Sequence, residues 1–163
     1  MKKILLVTRI LKFVLLLISF GFLVFAPLFT IQVNEHQTLI CNGYVAIFGG
    51  NFGFGTGVHK LSPVALIAFI FLLVSLIWNI VFNVLQLTKK EIPLKVFKRI
   101  SYVVAILQIT AGVLAFYSLY NFAVINDYGS TIPEYFKNTY FYTLSGCFAL
   151  MSGLLNAFEI LAL

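Results

Sequence analysis

Val64-Ala-Leu-Ile-Ala-Phe-Ile-Phe-Leu-Leu-Val-Ser-Leu-Ile-Trp-Asn-Ile-Val-Phe-Asn-Val-Leu85 contains no charged residue. A helix needs about 20 such residues to cross a hydrocarbon core of roughly 30 Å. Three more long apolar runs lie at Phe13–Ile31, Tyr102–Phe122 and Phe141–Leu163, the last with one charged residue, Glu159. Polar breaks separate all four. The hydrophobic share of the chain is 61%, against about 45–50% in soluble globular proteins. A water-soluble core has no use for four unbroken runs of this length. The expected fold class is therefore an all-α membrane protein: an antiparallel four-transmembrane-helix bundle.

The chain has 163 residues, enough for one four-span domain and short loops. The expected spans are about 10–31, 63–86, 100–122 and 140–163. Outer loops would cover 32–62 and 123–139, and an inner loop 87–99. The net charge of +6 does not read as a nucleic-acid surface, because of where the charges fall. Lys2, Lys3, Arg9, Lys12, Lys89, Lys90, Lys95, Lys98 and Arg99 cluster before the first span or between the second and third. Of the 11 basic residues, only Lys60 and Lys137 lie elsewhere. Basic loops stay in the cytoplasm, so both termini are expected there, with the protein in a cell membrane. The basic excess would also face anionic headgroups. Met-Lys-Lys at the start resembles a signal peptide. However, the apolar run is long, contains Pro27 and lacks a small-x-small cleavage site, so it reads as an uncleaved span.

Small and polar residues recur within the spans at steps of 4 and 3. The third span has Ser101, Ala105, Gln108, Gly112 and Ala115; the fourth has Ser145, Ala149, Ser152, Asn156 and Glu159. The second has Ser75, Asn79, Asn83 and Gln86, and the first only Ser19 and Ala26. Helices in lipid associate through close backbone approach at small residues and through hydrogen bonds. A period near 3.5 implies a left-handed bundle. Asn79, Asn83, Gln86, Gln108, Asn156 and Glu159 all fall in the inner half and form a candidate polar cluster. Glu159 is the one acid in any span. Lys12 and Arg9 match its depth on the neighbouring first span, so a candidate ion pair joins Glu159 to one of them, since a lone buried carboxylate is expensive. The cluster reads as a hydrogen-bonded girdle or as the lining of a small transport path; thin polarity in the outer half favours the girdle.

The first outer loop is the most informative. Gln37–Cys41 and Tyr44–Phe48 are β-prone, and Asn42-Gly43 between them suits a type I′ turn. A small extracytoplasmic β-hairpin is expected, resting on the helix ends or gaining a strand from the tail of this same loop, since a lone hairpin is marginal. Gly49–Gly57 carries Phe52 and Phe54 but lacks the Gly-Lys-Ser/Thr of a phosphate loop. Tyr44, Phe48, Phe52 and Phe54 make a candidate outer recognition surface. Ser62-Pro63 is a good helix start. Tyr117, Tyr120, Tyr135, Tyr140 and Tyr142 read as an interfacial belt.

Catalytic and cofactor motifs are not found. Glu35, His36, Cys41 and His59 match no compact metal spacing. No serine sits in a nucleophile elbow, and no His-Glu metal motif lies in a span. Cys41 and Cys147 differ in depth and are expected to stay unbridged. No catalytic residue, metal or cofactor is assigned, and the chain reads as non-enzymatic.

The layout resembles the claudin-type four-span plan: a long first outer loop with β-structure, a short inner turn and a shorter second outer loop. The resemblance implies that plan alone. The claudin loop signature of tryptophans and a cystine is missing, since Trp78 lies in a span and Cys41 has no loop partner. Asn42-Gly-Tyr-Val-Ala-Ile-Phe-Gly49, followed by a span, is similar to segments of small bacterial four-helix membrane proteins. Abundant Lys, Ile, Phe and Asn fit an AT-rich bacterial genome. The function expected is that of an accessory, scaffold or partner-binding subunit acting through its outer loops. Its partner would be another membrane protein or a second copy, within the lipid bilayer. The alternative is a small transporter or oligomeric channel using the polar cluster.

Overall fold

Prolines mark where the long helices start and stop. Proline has no N–H to give to the preceding turn, so it suits a helix start and ends a helix that runs into it. The computed structural model describes residues 2–34, 37–51, 58–88, 92–126, 136–138 and 140–162. Among these, α1 covers Lys2–Phe25, β1 Pro27–Asn34, β2 Gln37–Asn42, α2 Gly43–Phe48, α3 Pro63–Leu87, α4 Leu94–Ile125, β3 Phe136–Asn138 and α5 Phe141–Ala162. Pro27 thus ends the first apolar run as a helix, and Leu28–Ile31 continue as strand rather than span. Pro93 precedes α4, whose first turns take in Lys95, Lys98 and Arg99. At 1.5 Å per residue, its 32 residues extend about 48 Å. At α3, Ser62 accepts the Ala65 N–H at 3.2 Å, and Pro63 takes the first helical position.

Among the described residues, α1, α3, α4 and α5 are long and apolar enough to cross a membrane. They form a ring. α5 packs extensively on both α4 and α1, α3 packs on α4, and a thinner α1–α3 contact closes the circle. Cross-helix pairs run in opposite senses: Ser19 meets Ser145 while Lys12 meets Ser152, and Phe20 meets Phe69 while Arg9 meets Gln86. Ring neighbours are therefore antiparallel.

The α4–α5 seam depends on missing side chains. A Cβ on Gly112 would lie 2.9 Å from the Gly146 carbonyl oxygen, and one on Gly146 2.8 Å from the Gly112 carbonyl oxygen. The heptad-spaced positions of α4 and α5 named above are all buried. Apolar packing around Leu16, Leu23, Leu72, Ala111, Ala115 and Phe122 fills the half nearer the strands. In the opposite half, where the terminal ends of α1 and α5 lie, the buried set includes Lys12, Asn79, Ser101, Gln108, Asn156 and Glu159.

A small antiparallel sheet of order β2-β1-β3 caps the other end. β1 pairs with β2 from Pro27↔Asn42 to Asn34↔Gln37, and with β3 from Phe29↔Asn138 to Ile31↔Phe136. The hairpin is therefore built from β1 and β2, one strand earlier than the sequence pattern suggests, and its third strand comes from the segment before α5. Asn42-Gly43 is not its turn. Asn42 has φ −84° and ψ 159°, and Tyr44–Phe48 is helix. Gly43 serves close approach instead: a Cβ there would fall 1.9 Å from the Leu23 carbonyl oxygen. α2 then wedges Val45, Ala46 and Ile47 into the core. Positive φ occurs at Gly49 (74°) and Gly50 (133°), where the chain turns back to bridge Gly50 with His59.

Candidate functional site

α1 presents Arg9 and Lys12 one turn apart, a spacing that puts them on one face. α5 presents Asn156 and Glu159 in the same way. Antiparallel packing brings the two faces together, and both cations bind the one carboxylate: Arg9 Nε donates to Glu159 Oε1 and Lys12 Nζ to Glu159 Oε2. Lys12 Nζ also donates to Asn156 Oδ1 at 2.9 Å. Asn156 Nδ2 passes the connection on to the Ser101 carbonyl of α4 at 3.1 Å. Ser152 Oγ donates to the Lys12 carbonyl at 2.9 Å. From Arg9, Nη1 reaches Gln86 Oε1 of α3 at 3.0 Å. One network therefore touches all four long helices. Interhelical contacts of this type contribute about 0.6–2 kcal/mol each in membranes.

Two aromatic rings extend it. Arg9 lies 5.3 Å above the Phe82 ring, and Phe82 stacks on Phe97 of α4 at 4.4 Å. Sequence reasoning missed both rings. The one signal for Phe82 is its place a turn before Gln86 on the same helix face.

The other members of the candidate cluster behave differently. Asn79 is buried and donates to the Ser75 carbonyl of its own helix at 2.8 Å. Gln108 is fully buried, and neither its Nε2 nor its Oε1 has a partner among the described residues; the same holds for the hydroxyls of Ser75 and Ser101. Asn83 and Gln86 line a cleft of about 430 Å³ with Leu6, Arg9, Ile10 and Phe13. This cleft lies at the thin α1–α3 contact. In the opposite half, polar groups close on themselves. Ser19 and Ser145 each donate to the other's carbonyl at 2.8 Å, and Ser118 donates to Leu114 O at 2.9 Å.

At the sheet end, Tyr44 and Phe48 are exposed on α2, and Phe48 meets Phe69 edge-on at 5.3 Å. Phe52, Phe54, Glu35 and His36 lie outside the described residues. The cap is fastened at several points. Gly43 N–H donates to Ala26 O at 3.0 Å and Ser62 N–H to Ala46 O at 2.7 Å. Ser62 Oγ donates to Asn121 Oδ1 at 2.7 Å, and the Asn126 amide pairs with both backbone groups of Lys60. Tyr142 is buried with its hydroxyl on Gly43 O at 3.4 Å, so it supports the cap instead of joining the exposed tyrosines. His59 is buried beside Phe122 at 6.0 Å. Burial lowers its pKa from the usual 6.5, opposed in part by a hydrogen bond with Asn126. Cys41 and Cys147 are both free thiols, and burial pushes the Cys41 thiol up to about 12. Among the described residues no three His, Cys, Asp or Glu side chains gather as a metal site.

No family model matches the chain, and no curated protein or solved structure matches it either.

Proposed function

We propose that the chain is a non-enzymatic integral membrane protein that crosses a bacterial cytoplasmic membrane as a left-handed four-helix bundle. Both termini face the cytoplasm, and the protein acts as an accessory or scaffold subunit through its outer surface. Support for the bilayer comes from the outward faces. Val7, Ile77, Val103 and Leu154, one on each long helix, are all more than half exposed, a pattern that water would penalise and lipid would not. The steps of 4 and 3 between buried small residues support the left hand.

One observation carries the contact reading: a cap bonded to three helices holds Tyr44 and Phe48 outward on a short helix. Aromatic side chains on a rigid support give recognition at low cost in ordering. The inner network suits the girdle role, since its groups bond to one another across the helices. Cross-linking and affinity purification from native membranes tests the proposal. A specific membrane-protein partner, or a second copy, is expected with the native chain, and much less of it with Tyr44→Ala/Phe48→Ala. Recovery of a lone monomer from both would overturn the contact role.

Gln108, whose buried amide has no partner among the described residues, favours a second reading, transport through the inner polar half. Liposome flux that disappears in Glu159→Gln or Asn79→Leu would establish it. Variants that lose only thermal stability leave the cluster as a girdle.

A further inference from the structure

Two cations share one carboxylate in the inner network, so Arg9, Lys12 and Glu159 together carry one formal positive charge in excess. Lys12 and Glu159 are buried, but the Arg9 side chain is 20% exposed. It forms part of the wall of the 430 Å³ cleft between α1 and α3. Asn83 and Gln86 add amide donors to that wall, and Leu6, Ile10 and Phe13 make the rest of it apolar. The cleft thus combines a partly exposed guanidinium from a triad of net charge +1, hydrogen-bond donors and a hydrocarbon surface. That is the chemistry of an amphiphile with a single negative charge. An arginine also matches a phosphodiester better than a point charge does, because its planar fork donates to two oxygens at once.

From this we propose that the α1–α3 cleft seats one anionic phospholipid of the surrounding bilayer. Its phosphate lies against Arg9, Asn83 and Gln86, and the start of its acyl chains lies along Leu6, Ile10 and Phe13. The proposal rests on the membrane reading above. It also accounts for the thin α1–α3 contact, since the lipid fills the seam that the other helix pairs close with side chains. Basic pockets between helices at the cytoplasmic face are suited to anionic headgroups.

Trp78 is the chain's single tryptophan. It stacks on Phe82 at 6.4 Å, the same ring that carries Arg9, so its fluorescence reports on this seam. The full-length protein is reconstituted in phosphatidylcholine bilayers containing increasing fractions of brominated phosphatidylglycerol, or of brominated phosphatidylcholine. Phosphatidylglycerol is expected to quench at about fivefold lower mole fraction, the factor that one basic residue near a membrane surface supplies. Arg9→Gln should remove that preference. Leu6→Phe, which fills the cleft and keeps the charge, should remove it too, even if Arg9→Gln fails to fold. Lys98→Gln/Arg99→Gln, on α4, should keep it.

Equal quenching by the two lipids would overturn the site. So would loss of the preference only in the Lys98/Arg99 variant, which would mean general surface attraction. A brominated fatty acid that competes better than phosphatidylglycerol would replace the phospholipid with a free carboxylate. A chain that alkaline carbonate strips from membranes would overturn the membrane reading and this site together; an inserted chain without lipid preference overturns the site alone.

Discussion

Glu159 ties α5 to α1 by binding two cations with one side chain, and its removal has a calculable consequence. Glu159→Gln leaves Lys12 buried without an anion. Breaking a buried pair from one side costs about 3–5 kcal/mol, which should appear as a large fall in thermal stability in detergent. Glu159→Leu/Lys12→Leu should recover most of it, because Arg9 is partly exposed and can turn its guanidinium outward. A cost below about 1 kcal/mol for the single variant would rule out a girdle centred on Glu159. Gln108 makes the opposite case. Its amide is buried with no partner among the described residues, so Gln108→Leu should raise stability by about 1–3 kcal/mol, the desolvation cost of such a group. A fall instead would show that a water or ligand satisfies the amide. The meeting of Glu159 with a cation of the first run is legible in the sequence, because one acid among four apolar runs has few places to go; that it takes both Arg9 and Lys12 is not. The isolation of Gln108 is not, because heptad spacing places it on the buried face without saying what faces it.

At the level of elements, the glycines separate packing from propensity. Gly21 lies inside α1 with open space where a Cβ would go, so Gly21→Ala should stabilise by about 0.5–1 kcal/mol. Gly112 would place a Cβ 2.7 Å from Leu150 Cγ and 2.9 Å from a backbone oxygen, so Gly112→Ala should cost about 1–3 kcal/mol by overpacking. Thermal unfolding of the two variants should shift in opposite directions; equal shifts would mean that the seam is looser than drawn. The cap is sensitive to pH through His59. Its folded pKa lies below 6.5 because burial disfavours the charged ring. Its neutral form therefore contributes stability in full above about 6.5, and that contribution is lost as the pH falls from there through the folded value. Unfolding temperatures at pH 7.5 and pH 5 should differ more for the native chain than for His59→Gln. The cap is also where local sequence signals mislead. Asn42-Gly43 has the composition of a hairpin turn, and Tyr44–Phe48 that of a strand. Tertiary packing overrides both, since Gly43 must let α2 pass against Leu23, and helical wrapping buries Val45, Ala46 and Ile47 together.

Across the whole molecule, the two halves of the bundle are chemically unlike. The strand-capped half is packed with apolar side chains and self-paired serines. The other half holds the ion network and ends in the basic segments at Arg9–Lys12 and Lys95–Arg99. That polarity is visible in the sequence because four runs and a lopsided distribution of lysine and arginine need no tertiary knowledge. That the first and fourth runs are neighbours follows from a simple up-down bundle, but nothing in a single run says that α1 meets α5 more closely than α3. The same polarity sets the direction of insertion. Basic segments resist translocation, so the half with the ion network should face the cytoplasm and the sheet should face out. Val58, beside the cap, and Leu94, at the start of α4, are both exposed and lie at opposite ends of the bundle. In a Cys147→Ser background, Cys41 stays buried and silent. Val58→Cys should then react with a membrane-impermeant maleimide on intact cells, and Leu94→Cys only after permeabilisation. The reverse pattern would turn the molecule over, place Tyr44 and Phe48 in the cytosol, and move any search for partners to that side.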